Sequence, residues 1–137
     1  MYVFSAGVSG GGSTFWLAGL TRLDITEPAG YELTVLRADT MFARALGLLG
    51  QGTMAHGQAL WLTPCFAVHT IGMRFSIGVF FIDKQGVVVK TIARLKPNRF
   101  AVCWQATSVV ETAAFNDEQT ETLSRAVMRA IARFQLS

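Results

Sequence analysis

The chain has 137 residues, of which 51% are hydrophobic and 15% are charged, and its formal net charge is +3. This length predicts one domain, and the high apolar content excludes an intrinsically disordered chain, which combines low hydrophobicity with high net charge. A charged fraction well below the ~25% of an average soluble domain also favours an apolar surface patch or a self-association face.

The first part of the chain predicts an arm followed by two strands and a short helix. Residues 1–14 are rich in glycine and serine, show no hydrophobic period, and are interpreted as a flexible N-terminal arm. Residues 15–137 are then expected to form the single domain. Asp39 or Thr40 offers an N-cap for the helix, and Gly50 ends it. The elements expected here are strands over 17–26 and 31–36 and a helix over 41–49.

The middle of the chain predicts a mostly β scaffold. Its clearest element is a hairpin whose strands are 77–82 and 87–92, with Gly86 supplying the positive φ that a short turn requires. Further strands are predicted over 59–62, 99–104 and 107–112.

The last twenty residues change to helical periodicity. Asn116 or Asp117 can cap a helix over about 117–134, and acidic residues near its start and arginines near its end complement the helix dipole. The apolar face of this amphipathic helix is formed by Leu123, Val127, Ala130, Ile131 and Phe134. We interpret the stripe formed by Arg125, Arg129 and Arg133 as a solvated face, with contact to an acidic partner as the alternative.

No transmembrane segment is expected, because no stretch reaches the ~20 apolar residues that a membrane-spanning helix needs. The first twenty residues contain no Lys or Arg, and residues 10–13 interrupt the apolar core that a signal peptide would need. A cytoplasmic location is therefore favoured, with envelope association as the alternative.

The centre of the chain is its basic part. Between Thr40 and Glu111 the only acidic residue is Asp83. We interpret this balance as an ordinary solvated surface, with attraction of an anionic partner as the alternative. Nucleic acid is not expected as a partner, since we see neither dense Lys/Arg clusters nor exposed stacking aromatics. The expected partner is a protein or a small molecule.

The two cysteines, Cys65 and Cys103, are expected to be reduced and buried, with a disulfide or a functional thiol as alternatives. A zinc set could combine His56, Cys65, His69 and Cys103. The spacing of Cys65 and His69 suits zinc ligation, but a structural zinc site usually shows a second tight pair, which is absent here. Cys65 and His69 are also candidates for a Cys–His catalytic pair. No metal and no cofactor are expected.

The densest polar cluster of the sequence lies in residues 68–75, immediately before the predicted hairpin. Loops on rigid β scaffolds commonly carry binding sites. The candidate binding residues are His69, Thr70, Gly72, Met73 and Arg74, together with Cys65 and Cys103. In the structural alternative His69 is satisfied internally and Arg74 pairs with Glu111 to support the fold.

Several segments together resemble the DUF192 family, a group of small, mostly bacterial and archaeal proteins of unknown function. The matching segments are RALGLLG at 44–50, LTPC at 62–65, VHTIGMRF at 68–75, FFIDKQGVV at 80–88, LKP at 95–97, Cys103 and VVE at 109–111. The resemblance implies a mainly β (α+β) fold, in which a partly open β-barrel-like sheet carries a short helix. It implies no established activity, substrate or cofactor.

The chain departs from this family pattern in two places. Gly78 stands where the resemblance implies an aspartate, and residues 111–115 run into the predicted helix where a glycine turn and a last strand are expected. The second departure predicts a missing or replaced terminal strand, with a sheet edge that the helix could cover.

Three functions follow from these observations. The first is a small non-enzymatic β module that binds a partner or small ligand through the His69–Arg74 surface. The second is an enzyme or metal site built on His69 with Cys65 or Cys103. The third is a structural protein that self-associates as a homo-oligomer. The scarcity of acidic residues in the centre of the chain favours the first.

Overall fold

A computed structural model describes residues 20–26, 32–38 and 57–136. The predicted arm over 1–14 and the predicted helix over 41–49 lie outside these residues.

The described residues form eight strands, one short 3-10 helix and one α-helix, so the fold is mainly β, as predicted. In chain order the elements are β1 (Leu20–Thr26), β2 (Glu32–Ala38), β3 (Gln58–Leu62), β4 (Ala67–His69), β5 (Ile77–Ile82), β6 (Val88–Leu95), β7 (Phe100–Val102), β8 (Ser108–Ala113), the 3-10 helix (Asp117–Gln119) and α1 (Thr120–Leu136).

Six of the described strands form one sheet in the order β1-β2-β3-β8-β5-β6, while β4 and β7 form a separate two-stranded ribbon. Strands β2 and β3 run parallel, and the other neighbours in both sheets run antiparallel. Strands β1 and β6 do not pair with each other in the described part of the chain, so the large sheet is open.

Strand β5 is buried along its whole length because both faces of the large sheet are covered. Side chains alternate between the faces along a strand, so Val79 and Phe81 pack toward the ribbon whereas Phe80 and Ile82 pack toward α1. On the ribbon side the core includes Val68 of β4 and Ala101 of β7, which brings the ribbon onto the sheet. This burial explains why the β5 sequence is a continuous apolar run.

Helix α1 covers a face of the large sheet and also approaches its two edge strands, β1 and β6. Its buried residues pack with Trp61 of β3 and Phe80 of β5, and they are Leu123, Ala126, Val127, Ala130, Ile131 and Phe134. No edge arises at the end of β8, because β8 lies between β3 and β5. No helix among the described residues is long and apolar enough to cross a membrane.

The chain enters the helical segment through a capping box, as the sequence predicts at Asn116. The Asn116 side chain accepts a hydrogen bond from the Gln119 backbone N–H at 3.1 Å, and the Gln119 side chain accepts one from the Asn116 backbone N–H at 3.1 Å. These bonds satisfy two N–H groups that a helix start would otherwise leave unpaired.

Candidate functional site

The candidate residues lie on the ribbon and on two loops at one end of it, residues 70–75 and 96–99, which we call the paired loops. Strand β4 was not predicted, because three residues are too few for a period of two to show. In the ribbon His69 lies directly opposite Phe100. The polar cluster found in the sequence therefore begins on a strand and continues into a loop.

Thr70 is the buried anchor that joins the paired loops. Its side chain is fully buried, donates a hydrogen bond to the Lys96 carbonyl at 2.5 Å, and accepts one from the Arg99 backbone N–H at 3.0 Å. Its backbone N–H donates to the Arg99 carbonyl at 2.9 Å, and its carbonyl accepts from Asn98 at 2.9 Å and from Met73 at 3.1 Å. Thr70 thus holds the shape of the site and offers no free group to a ligand.

Gly72 and Asn98 form a second link between the paired loops. The Gly72 backbone N–H donates to the Asn98 side-chain oxygen at 3.0 Å. Both residues have positive φ, +78° for Gly72 and 59° for Asn98, and glycine and asparagine tolerate this region best. Gly72 is therefore a turn residue whose conformation sets the position of its exposed neighbours.

His69 is half-buried and has one ring nitrogen already engaged. Its Nδ1 accepts a hydrogen bond from the Ile71 backbone N–H at 3.2 Å, and its ring meets the edge of the Phe100 ring with centroids 5.8 Å apart. An Nδ1 that accepts a hydrogen bond carries no proton, so the neutral imidazole carries its proton on Nε2. Desolvation by burial lowers the pKa of His69 below its ordinary value of 6.5.

This lowered pKa predicts a pH dependence of stability. The unfolded chain takes up a proton at His69 near pH 6.5, whereas the folded chain takes it up only at lower pH. His69 therefore makes its full contribution to stability above pH 6.5. The free energy of unfolding falls as the pH drops from 6.5 toward the lower pKa of the folded state. Urea unfolding at pH 7.5 and 5.5 checks this, with His69→Gln expected to show a smaller difference between the two pH values. An NMR titration in which the His69 imidazole titrates at or above 6.5 would contradict it.

Arg74 is exposed, whereas Glu111 is fully buried in the centre of β8. Glu111 lies opposite Val79, five positions along the chain from Arg74. The ion pair between Arg74 and Glu111 that the structural alternative requires is not found among the contacts of the described residues. The neighbouring residue Met73 is partly buried against the ribbon-side core, whereas Arg74 is exposed.

Both cysteines are reduced and lie at the other end of the ribbon. The buried Cys65 thiol donates to the Ala67 carbonyl at 3.2 Å, and the partly buried Cys103 packs against the ribbon-side core. No hydrogen bond joins His69 to either cysteine in the described ranges, where no three His, Cys, Asp or Glu side chains are grouped as metal ligands. His56, a further ligand that the sequence offers, lies outside the described residues.

Sequence reasoning missed the exposed apolar side chains of this region. Ile71 is 53% exposed, Phe100 62% and Trp104 83%. Trp104 lies against Phe66 with ring centroids 5.1 Å apart. The argument against a nucleic-acid partner assumed that no aromatic is exposed for stacking, and Phe100 and Trp104 remove that premise.

A comparison with protein families matches residues 24–124 to DUF192, whose description is "Uncharacterized ACR". The chain belongs to the DUF192 family. The matched range contains the ribbon, the paired loops and the first turn of α1. A search of curated proteins finds no match to this DUF192 chain.

Two solved structures share the fold. A protein of Sinorhizobium meliloti, described as a "putative transcription regulator", is 17% identical with a TM-score of 0.56, over 74% of this chain and 84% of that one. A protein of unknown function from Novosphingobium aromaticivorans is 14% identical with a TM-score of 0.56, over 82% of this chain and 92% of that one. At these identities the likeness supports the fold alone.

The structure separates two kinds of residue within the segment that resembles the family, VHTIGMRF at 68–75. In this DUF192 chain Thr70 and Gly72 hold the paired loops together. Ile71 and Arg74 are exposed, and His69 is half-buried with its Nδ1 engaged. Only the second group is available to a binding partner.

Proposed function

We propose that this protein is a small non-enzymatic β module that binds a partner or small ligand through the His69–Arg74 surface. One observation carries the proposal: an exposed surface segment is held in one conformation by the fully buried hydroxyl of Thr70. A surface that is already ordered loses little conformational freedom on binding.

The geometry gives little support to the alternative of an enzyme built on His69. The Nδ1 atom of His69 is engaged by the Ile71 backbone, and the Cys65 thiol is buried and directed to a backbone carbonyl. A thiol nucleophile needs a base within hydrogen-bond reach. Self-association stays the third hypothesis, supported by the exposed side chains of Phe100 and Trp104.

An NMR screen of small aromatic and carboxylate fragments tests the proposal. We expect binding fragments to shift the backbone amides of residues 69–74. Arg74→Ala is expected to weaken such binding about tenfold, as the loss of a charge-assisted hydrogen bond would. The matched control is Arg133→Ala, because Arg133 is also exposed but lies on α1, which covers the other face of the sheet.

Two results would contradict the proposed function. One is a set of fragments that bind only away from residues 69–74. The other is equal weakening by Arg74→Ala and Arg133→Ala, since that would show a general effect of net charge.

A further inference from the structure

Large apolar side chains are exposed on the ribbon and in the residues that flank it. We call this surface the ribbon face and define it by His69, Ile71, Phe100 and Trp104. Phe100 and Val102 lie on one side of β7 because side chains alternate along a strand, and Trp104 follows two residues later. Large side chains this exposed mark an interaction surface when they occur together.

Each exposed ring of the ribbon face contacts one neighbouring ring. Phe100 meets the His69 ring, and Trp104 lies tilted by 31° against Phe66. Rings held in this way form platforms for a ligand to pack on.

The stretch that carries the ribbon and the paired loops is one-sided in charge. Residues 57–110 contain six Lys or Arg and one acid, Asp83. Asp83 lies in the β5–β6 turn, where its Oδ1 accepts hydrogen bonds from the backbone N–H groups of Gln85 and Val87. Three exposed cations, Arg74, Lys96 and Arg99, belong to the paired loops beside Phe100. Such a field attracts carboxylates and repels basic partners.

His69 adds a directional group to this field. Because Nδ1 accepts from Ile71, the proton of the neutral ring is on Nε2, which is left as a donor. A carboxylate or peptide carbonyl oxygen is the acceptor that such a donor fits.

We infer that the ribbon face binds an acidic peptide segment of a protein partner, with large apolar side chains between its carboxylates. This inference rests on the proposed function and names its partner. The apolar side chains of such a peptide would pack on Phe100 and Trp104, and its carboxylates would meet the exposed cations of the paired loops. Three loop cations suffice for a few carboxylates, but they do not form the continuous basic track that a nucleic-acid backbone needs.

Synthetic peptides test the inference. The probe is a blocked heptapeptide that alternates glutamate with leucine or phenylalanine. One control peptide replaces every glutamate by lysine, and another replaces every apolar residue by serine. We expect the probe to shift the amides of the ribbon face and the paired loops, to bind at least tenfold more tightly than either control, and to weaken at least threefold between 50 and 300 mM salt.

Variants of the protein locate the binding. Phe100→Ser and Trp104→Ser are expected to weaken the probe about tenfold. Leu136→Ser is the matched control, because Leu136 is 88% exposed at the end of α1, and it is expected to change the affinity less than twofold. A backbone amide spectrum of each variant shows that it is folded.

Four outcomes would overturn the inference. Two of them are binding of phosphatidylglycerol vesicles and binding of a fifteen-residue oligothymidine, in either case through Phe100 and Trp104 and without binding of the peptide. Either result would identify a different partner and would leave the proposed function standing. A dimer dissociated by Phe100→Ser would make a second copy the occupant. If no probe binds, an acidic peptide is excluded as the partner. The fragment screen then decides separately whether the His69–Arg74 surface binds any ligand.

Discussion

Thr70→Val should lower the free energy of unfolding by about 2–3 kcal/mol, although valine has nearly the shape of threonine. The substitution removes a hydroxyl that donates to the Lys96 carbonyl and accepts from the Arg99 N–H. Both backbone groups then lose their partner, and unsatisfied groups that are shielded from water cost ~1–3 kcal/mol each. Because Thr70 is fully buried, water has little access to replace the lost hydroxyl. Urea unfolding measures the change.

Thr70→Ser is the matched control, since it keeps the hydroxyl and removes only a methyl group. Its expected loss is about 1 kcal/mol, the value for one buried methyl group. Hydrogen exchange should also become faster in both paired loops of Thr70→Val, because the two loops share this anchor. Equal stability of the valine and serine variants would show that the hydroxyl does not hold the loops together.

The role of Thr70 was not predictable from sequence, whereas the β5–β6 hairpin and the start of the helix were. Both predictable features depend on neighbours: the hairpin on Gly86 and two apolar runs, the helix cap on Asn116 and Gln119. The partners of Thr70 are 26 and 29 residues away. A polar residue in a short segment gives no sign of whether a distant loop will reach it, so sequence reasoning grouped Thr70 with the binding candidates.

Phe100 and Trp104 show a second limit of the sequence. The run 99–104 predicts a strand, and β7 is found at Phe100–Val102. Periodicity assigns alternate residues to opposite faces of a strand, but it does not say whether another layer covers each face. The ribbon lies on the large sheet with one side only. The aromatic residues of the ribbon face are therefore exposed, although composition alone favours burial for them.

Gly78 connects the departure from the family pattern to the packing of α1. A Cβ atom built on Gly78 would clash with Oγ1 of Thr112 and lie 2.5 and 2.7 Å from two ring atoms of Phe115. Phe115 occupies this space while stacked on Phe80, with ring centroids 5.2 Å apart, and its N–H donates to the Ala93 carbonyl at 3.0 Å. The residue that leads into the helical segment thus fills the place where a side chain at position 78 would begin. The aspartate that the resemblance implies does not fit there.

Gly78→Ala should therefore destabilise the protein by about 3 kcal/mol, the upper part of the usual cost of overpacking a buried site. Gly86→Ala separates this effect from the general cost of replacing glycine. Gly86 has φ +82° and its nearest heavy atoms would lie 3.6 Å from the added Cβ, so only backbone strain of about 1 kcal/mol is expected. Both values come from urea unfolding at one pH. A loss at Gly78 no larger than the loss at Gly86 would contradict the expected clash.

A double-mutant cycle identifies Phe115 as the source of the clash. Phe115→Ala alone should cost about 3–5 kcal/mol, because it leaves a cavity between β5 and α1. In that background the ring no longer opposes a Cβ at position 78, so Gly78→Ala should cost about 2 kcal/mol less than it does in the native chain, a coupling in the range measured for residues in contact. If Gly78→Ala costs the same with and without the Phe115 ring, the clash does not come from Phe115 and is assigned to Thr112. If the cost does fall, Gly78 and Phe115 act as a pair, and glycine is required at position 78 because the Phe115 ring occupies the space beside it.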